Sequence, residues 1–122
     1  MAGSLHIRSR TTDGIIEVEL LDEHILDEVV IAEIGQSLTD LVDAGGDVVD
    51  VVVGFSQVAH LSSSALGMLI TLNSRVQERG GQLMLAHISA PIAEVFRITR
   101  LDRVLSIQPT VLAARAEIQG DA

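Results

Sequence analysis

Val48-Val49-Asp50-Val51-Val52-Val53, leading into Gly54-Phe55, is the stretch on which the fold turns. A near-continuous β-branched run of this kind suits a strand covered on both faces, as in a mostly parallel sheet. Upstream, from Val30 to Val42, Ile31, Ile34, Leu38, Leu41 and Val42 recur at three- and four-residue steps, the period of an amphipathic helix that Gly45-Gly46 stops. Further upstream, Leu5-His6-Ile7-Arg8 and Ile16-Glu17-Val18-Glu19-Leu20 alternate around Asp13-Gly14, which predicts a hairpin with one wet face. Downstream, Ser62-Ser63-Ser64 opens a helix reaching Arg79, and Gly80-Gly81 ends it. Gln82 to Ala86 reads as a strand. Ser89-Ala90-Pro91 starts another helix, with Ile92, Val95, Phe96 and Thr99 as its inward stripe. Val104 to Ile107 reads as a short strand, and 109–118 as a closing helix.

The order is therefore β-β-α-β-α-β-α-β-α, which implies a single α/β domain over residues 5–118 with helices packed against a mixed, mostly parallel sheet. A chain of 122 residues can bury about two-thirds of its unfolded surface, enough for one core and no more. With 48% apolar residues and a mean hydropathy of +0.41 it is too hydrophobic for disorder, yet it has no apolar run of membrane-spanning length. Met1 to Leu5 lack the basic flank and apolar block of a secretory leader, which leads to the expectation of a cytoplasmic protein. The absence of cysteine excludes disulfides and thiolate chemistry.

The net charge of −9 argues against nucleic acid or an anionic membrane as partner. All eight basic residues are Arg, and none lies between Thr11 and Ser74, a stretch that holds twelve acids. That stretch reads either as a solvated acidic surface or as a face that docks a basic protein. Two Phe, with no Tyr or Trp, leave no platform for stacking bases or sugars.

No catalytic constellation emerges. His6, His24, His60 and His87 never fall at the spacing that puts two on one helix face, so no metal site is expected. His24, beside Asp22 and Glu23, is the best placed of the four, though a loop histidine next to acids is an ordinary solvated arrangement. No glycine-rich turn with a following Lys offers a phosphate cradle, and Ser63 lacks a G-x-S-x-G setting. Neither an enzyme nor a bound cofactor is expected.

The serine cluster is different. One hydroxyl at a helix start is a plain N-cap, but three exceed that need. If Leu66, Leu69, Ile70, Asn73 and Val76 face the sheet, then Ser64, Met68, Leu72 and Arg75 fall on another side. Two apolar residues there are either covered by a neighbouring helix or begin a contact patch at the serines. The field of a helix N-terminus favours phosphate, so a phosphoserine there leaves the fold intact while repelling an acidic or apolar partner.

Phe55-Ser56-Gln57-Val58-Ala59-His60-Leu61-Ser62-Ser63-Ser64-Ala65-Leu66-Gly67-Met68-Leu69-Ile70 resembles the STAS family, specifically the bacterial anti-sigma factor antagonists. Gly80-Gly81-Gln82-Leu83, the segment Ile88 to Phe96, and Thr99-Arg100-Leu101-Asp102-Arg103-Val104 extend the resemblance over nearly the whole chain. It implies a protein that, unphosphorylated, binds an anti-sigma factor that is also a serine kinase of the histidine-kinase-like ATPase type, so releasing a sigma factor. Phosphorylation of a serine in a D-S-[ST]-G-L-type motif ends the binding, and a PP2C-type metal-dependent phosphatase restores it. On that alignment Ser63 takes the phosphorylated position, with Ser64 as second choice, and Leu66 and Gly67 take the motif's Leu and its small neighbour. Ser62, Ser63, Ser64, Met68, Leu72, Asp22, Glu23 and His24 become the expected partner face. The sequence departs from the family where Ser62 replaces Asp, Ala65 replaces Gly, and Leu20 to Ile25 replace a G-E-[LI]-D loop.

Other classes stay open at this point. The chain could be a STAS scaffold that never meets a kinase, a regulatory subunit of a membrane transporter, or a sensor of a small molecule. A monomer or weak homodimer is expected.

Overall fold

The computed structural model describes residues 6–120. Leu5, and with it the expected domain limit, lies outside the described residues. The first two strands, β1 (Ile7–Thr12) and β2 (Ile15–Leu20), form the expected antiparallel hairpin. Asp13 and Gly14 both have positive φ, the conformation a tight hairpin turn demands. Next come a two-residue strand β3 (His24–Ile25), helix α1 (Glu28–Asp43), β4 (Asp50–Gly54), a second two-residue strand β5 (His60–Leu61) and α2 (Ser63–Glu78). The chain closes with β6 (Leu83–Ala86), α3 (Ala90–Ile98), a single 3₁₀ turn (Leu101–Arg103), β7 (Ser106–Gln108) and α4 (Val111–Gln119).

The main sheet has the order β1-β2-β4-β6-β7, and every pairing except β1 with β2 is parallel. Strand alternation divides the apolar residues between two layers. Ile16, Val18, Val51, Val53, Leu83 and Leu85 point toward α1, α2 and α3 in the principal core. Ile15, Val52, Met84 and Ala86 form a smaller cluster with Ala114 of α4 on the other face. Arg115 fastens that helix: it pairs with Glu17, and its guanidinium also reaches the Thr12 carbonyl at 3.1 Å and Asp13 at 3.2 Å.

Several expectations are corrected. Helix α1 begins at Glu28 because Asp27 caps it, its Oδ1 accepting the Val29 and Val30 N–H groups at 2.8 and 3.2 Å. Val29 is 66% exposed, so the apolar stripe that located the helix could not include it. The central strand starts at Asp50 rather than Val48, since Val48 is exposed and the sheet pairing begins beyond it. Val95, expected to face inward, is 44% exposed, and Thr99 is exposed as the C-cap of α3 with its hydroxyl donating to the Val95 carbonyl at 2.7 Å. The last strand starts at Ser106 because Val104 finishes the 3₁₀ turn. Strands β3 and β5 were not expected, being too short to carry any period.

Helices α1 and α2 are coupled through the end of α2. Arg79 donates to the carbonyls of Val42 and Gly45, both at 3.0 Å, and to that of Gly46, so it clasps the last turn of α1 and the loop that follows it. A planar fork of five donors can serve several carbonyls at once, and a lysine ammonium cannot match it. Arg79→Lys is therefore expected to lose about 2 kcal/mol of stability, measured by urea unfolding.

Candidate functional site

The start of α2 is mounted on a small ribbon built by β3 and β5, which pair in parallel with His24 opposite His60 and Ile25 opposite Leu61. The Glu23 carbonyl accepts the Ala59 and His60 N–H groups at 2.8 and 3.1 Å, and the Ile25 carbonyl accepts that of Ser62 at 3.1 Å. Ile25 and Ala65 are fully buried beneath, which fixes the ribbon to the core. Segments 22–25 and 59–64, remote in sequence, thus become one surface.

The three serines divide their roles. Ser62, in extended conformation, is the N-cap, and its Oγ accepts the Ala65 N–H at 3.2 Å. Ser63 is the first helical residue, and among the described residues neither its hydroxyl nor that of Ser64 has a hydrogen-bond partner; both side chains are exposed. No acidic residue lies in the first turn of α2. The capping duty is met one residue earlier, so the Ser63 hydroxyl is uncommitted at the positive end of a helix dipole.

The rest of the expected face is mixed. Glu23 and His24 are exposed beside the serines, whereas Asp22 is half-buried and binds His6, Oδ2 to Nδ1 at 2.7 Å. Met68 is half-buried against α1 near Gly35. Leu72 was expected on the exposed side but is only 3% exposed, because α1 packs over it. It leaves the surface, and of the two apolar residues expected on that side only Met68 remains partly exposed. In the two turns beyond the serines α2 exposes Gly67 and Thr71, with Met68 and Ile70 half-buried.

Two features escaped the sequence. His24 and His60, which look scattered in the chain, have their Nδ1 atoms 2.9 Å apart. Glu19, read only as a wet-face residue, holds the loop after β4, accepting from the Ser56 hydroxyl at 2.9 Å and the Gln57 amide at 3.3 Å while pairing with Arg8 at 2.6 Å. Those donors, Arg8 first, hold its carboxyl below the usual carboxylate range. A lowered native pKa contributes stability above the unfolded pKa that is lost as pH falls through the native one. Glu19→Gln should accordingly flatten the acid side of the stability profile, read as a smaller drop in urea midpoint between neutral pH and the carboxylate range.

A depression of about 510 Å³ lies on the α4 face, lined among others by Arg8, Arg10, Glu17, Glu19 and His87. Its charges already pair with one another, Arg8 with Glu19 and Arg10 with Glu17, and His87 Nε2 accepts the Val111 N–H at 3.3 Å. Among the described residues no group of three or more His, Cys, Asp or Glu is placed to hold a metal ion, and no helix is long and apolar enough to cross a membrane.

The profile of the STAS domain matches residues 6–114. This chain belongs to the STAS domain family. A curated relative, a Thermotoga neapolitana homolog of TM1081 whose name proposes it as an anti-sigma factor antagonist, is 32% identical over 65 residues. That match covers 53% of this STAS domain chain and 58% of the relative's length. Among solved structures, an anti-sigma-factor antagonist (STAS) domain protein from Planctomyces limnophilus superposes with a TM-score of 0.84 at 19% identity, over 93% of this chain and 97% of that one. The anti-sigma factor antagonist SpoIIAA in its unphosphorylated form gives 0.77 at 14% identity, over 95% and 98%, and its phosphorylated form from Bacillus gives 0.67 at 13%, over 92% and 98%. The STAS fold also recurs within murine Slc26a9, an anion transporter, with a TM-score of 0.77 at 15% identity over 93% of this chain and 19% of the transporter. At these identities the structural likeness carries the fold alone.

Proposed function

We propose that this STAS domain is a cytoplasmic anti-sigma factor antagonist switched by phosphate on Ser63. Unphosphorylated, it binds an anti-sigma factor that is also a serine kinase of the histidine-kinase-like ATPase type, and so frees a sigma factor for transcription. Phosphate on Ser63 ends that binding, and a PP2C-type phosphatase reverses it. The domain acts by binding and performs no catalysis of its own.

The observation that supports this reading is the separation of cap from candidate phosphosite. Ser62 satisfies the helix, so modification of Ser63 costs no cap and adds charge where the dipole favours it. Ser62 stands where the resemblance puts Asp, and both residue types serve as N-caps, so the helix start keeps its cap while losing a carboxylate beside Ser63. The contact face comprises Ser62, Ser63 and Ser64 with Glu23, His24 and the edge of Met68, and Asp22 supports it from behind.

Mapping phosphate by mass spectrometry on the protein isolated from its own cells, under growth and under stress, tests the switch. Occupancy at Ser63 that changes between conditions is the expected result. Full coverage of residues 62–64 without modification in any condition would leave a binding scaffold in its place.

A further inference from the structure

We propose that His24 and His60 form a two-imidazole binding site for a divalent late transition-metal ion of the copper, nickel or zinc class. The two residues are in register on adjacent parallel strands, so their side chains leave the ribbon on the same face. Their Nδ1 atoms are 2.9 Å apart, with ring centroids at 4.8 Å and planes 17° from parallel. In a metal-free chain one nitrogen donates to the other, which consumes one lone pair and one N–H.

The spacing suits a metal in place of that proton. With metal–nitrogen bonds of roughly 2.0–2.1 Å, two cis nitrogens stand about 2.9 Å apart at a right angle and about 3.4 Å apart at the tetrahedral angle. The pair already has the separation of neighbouring ligands in a square-planar or tetragonal site, the geometry of copper(II) and nickel(II). Zinc would need the rings to part by about half an ångström.

The surroundings favour this use. The Glu23 carboxylate lies 3.5 Å from His24 Nε2, on the far side of the ring from His60. A carboxylate there adds negative charge behind the ring, which favours a cation at Nδ1. Backbone hydrogen bonds from Ala59, His60 and Ser62 to the 23–25 segment hold the two strands, and with them the Cα atoms of both histidines, in register before any ion arrives. Both histidines are exposed, so water completes the coordination. His6 offers no equal competitor, since its Nδ1 meets Asp22 at 2.7 Å and its Nε2 meets Glu33 at 3.2 Å. The inference does not depend on phosphorylation of Ser63.

Calorimetric titration of the full chain with nickel(II) or copper(II) chloride tests it, together with copper electron paramagnetic resonance. One ion per chain is expected, with a signal showing two nitrogen ligands. His24→Gln and His60→Gln should each weaken binding about 100-fold, because losing one of two linked ligands removes the chelate advantage. His6→Gln and His87→Gln should leave it unchanged. The metal-free unfolding midpoints of the His24 and His60 variants serve as the folding control. Absence of saturable binding, retention of binding in both His24→Gln and His60→Gln, or its loss in His6→Gln would each overturn the proposal.

Discussion

Gly81→Ala is expected to cost about 3 kcal/mol or more and to leave little folded protein at elevated temperature. A methyl group on Gly81 would sit 1.7 Å from the Val49 carbonyl oxygen and 2.5 Å from its carbon. Both are main-chain atoms, so no side chain can rotate away. The neighbouring backbone has no slack either. The Gly81 N–H is committed to the Val76 carbonyl at 3.1 Å, and the next residue, Gln82, donates to Asp50 Oδ1 at 2.9 Å and accepts from Val51 N–H at 2.9 Å. Relief therefore requires separating β6 from β4 at the point where their parallel pairing starts. Gly67→Ala provides the contrast: a methyl there meets nothing within 4 Å, and replacing an exposed helical glycine should add up to about 1 kcal/mol. Urea unfolding of both variants decides the matter, and a loss below about 1 kcal/mol for Gly81→Ala would refute the close approach.

The second large effect separates binding from stability at one position. Ser63→Asp is expected to weaken affinity for the kinase-type anti-sigma factor at least about 100-fold, as charge placed at a contact without a counterpart costs several kcal/mol. The same substitution should raise the unfolding free energy by about 0.5 kcal/mol, because an anion in the first turn of α2 meets the favourable end of the dipole. Ser63→Ala should bind within a few-fold of the parent, since among the described residues the hydroxyl has no partner to lose. Opposite signs for affinity and stability exclude unfolding as the cause of lost binding. Equal affinity of all three proteins, measured by surface plasmon resonance, would sink the assignment of Ser63.

Much of this architecture was legible in the chain because burial imposes a period. The run at residues 48–53 located the sheet's centre, and the glycine pairs at 45–46 and 80–81 marked where helices stop. Failures cluster where a side chain departs from its element's period, as exposed Val29 and Val95 do. The site was legible in position but not in detail. Three adjacent serines are chemically alike, and only the extended conformation of Ser62 shows which one caps. Leu72 was placed on the wrong side because a helical wheel registers the sheet and not a second helix lying across α2. The ribbon of β3 and β5 was invisible because two residues show no alternation, so nothing local signalled that His24 and His60 meet.

The two margins of the main sheet also bear on how such an apolar chain avoids clumping. Strand β1 is exposed along almost its whole length, but it carries Arg8 and Arg10, each tied across the hairpin to a glutamate. At the other margin β7 is only three residues long. A charged rim on one side and a stub on the other give a foreign strand little to zip onto, and so guard against amyloid-like stacking. Contact with another chain is thereby directed away from the margins of the main sheet, toward the ribbon of β3 and β5 and the start of α2.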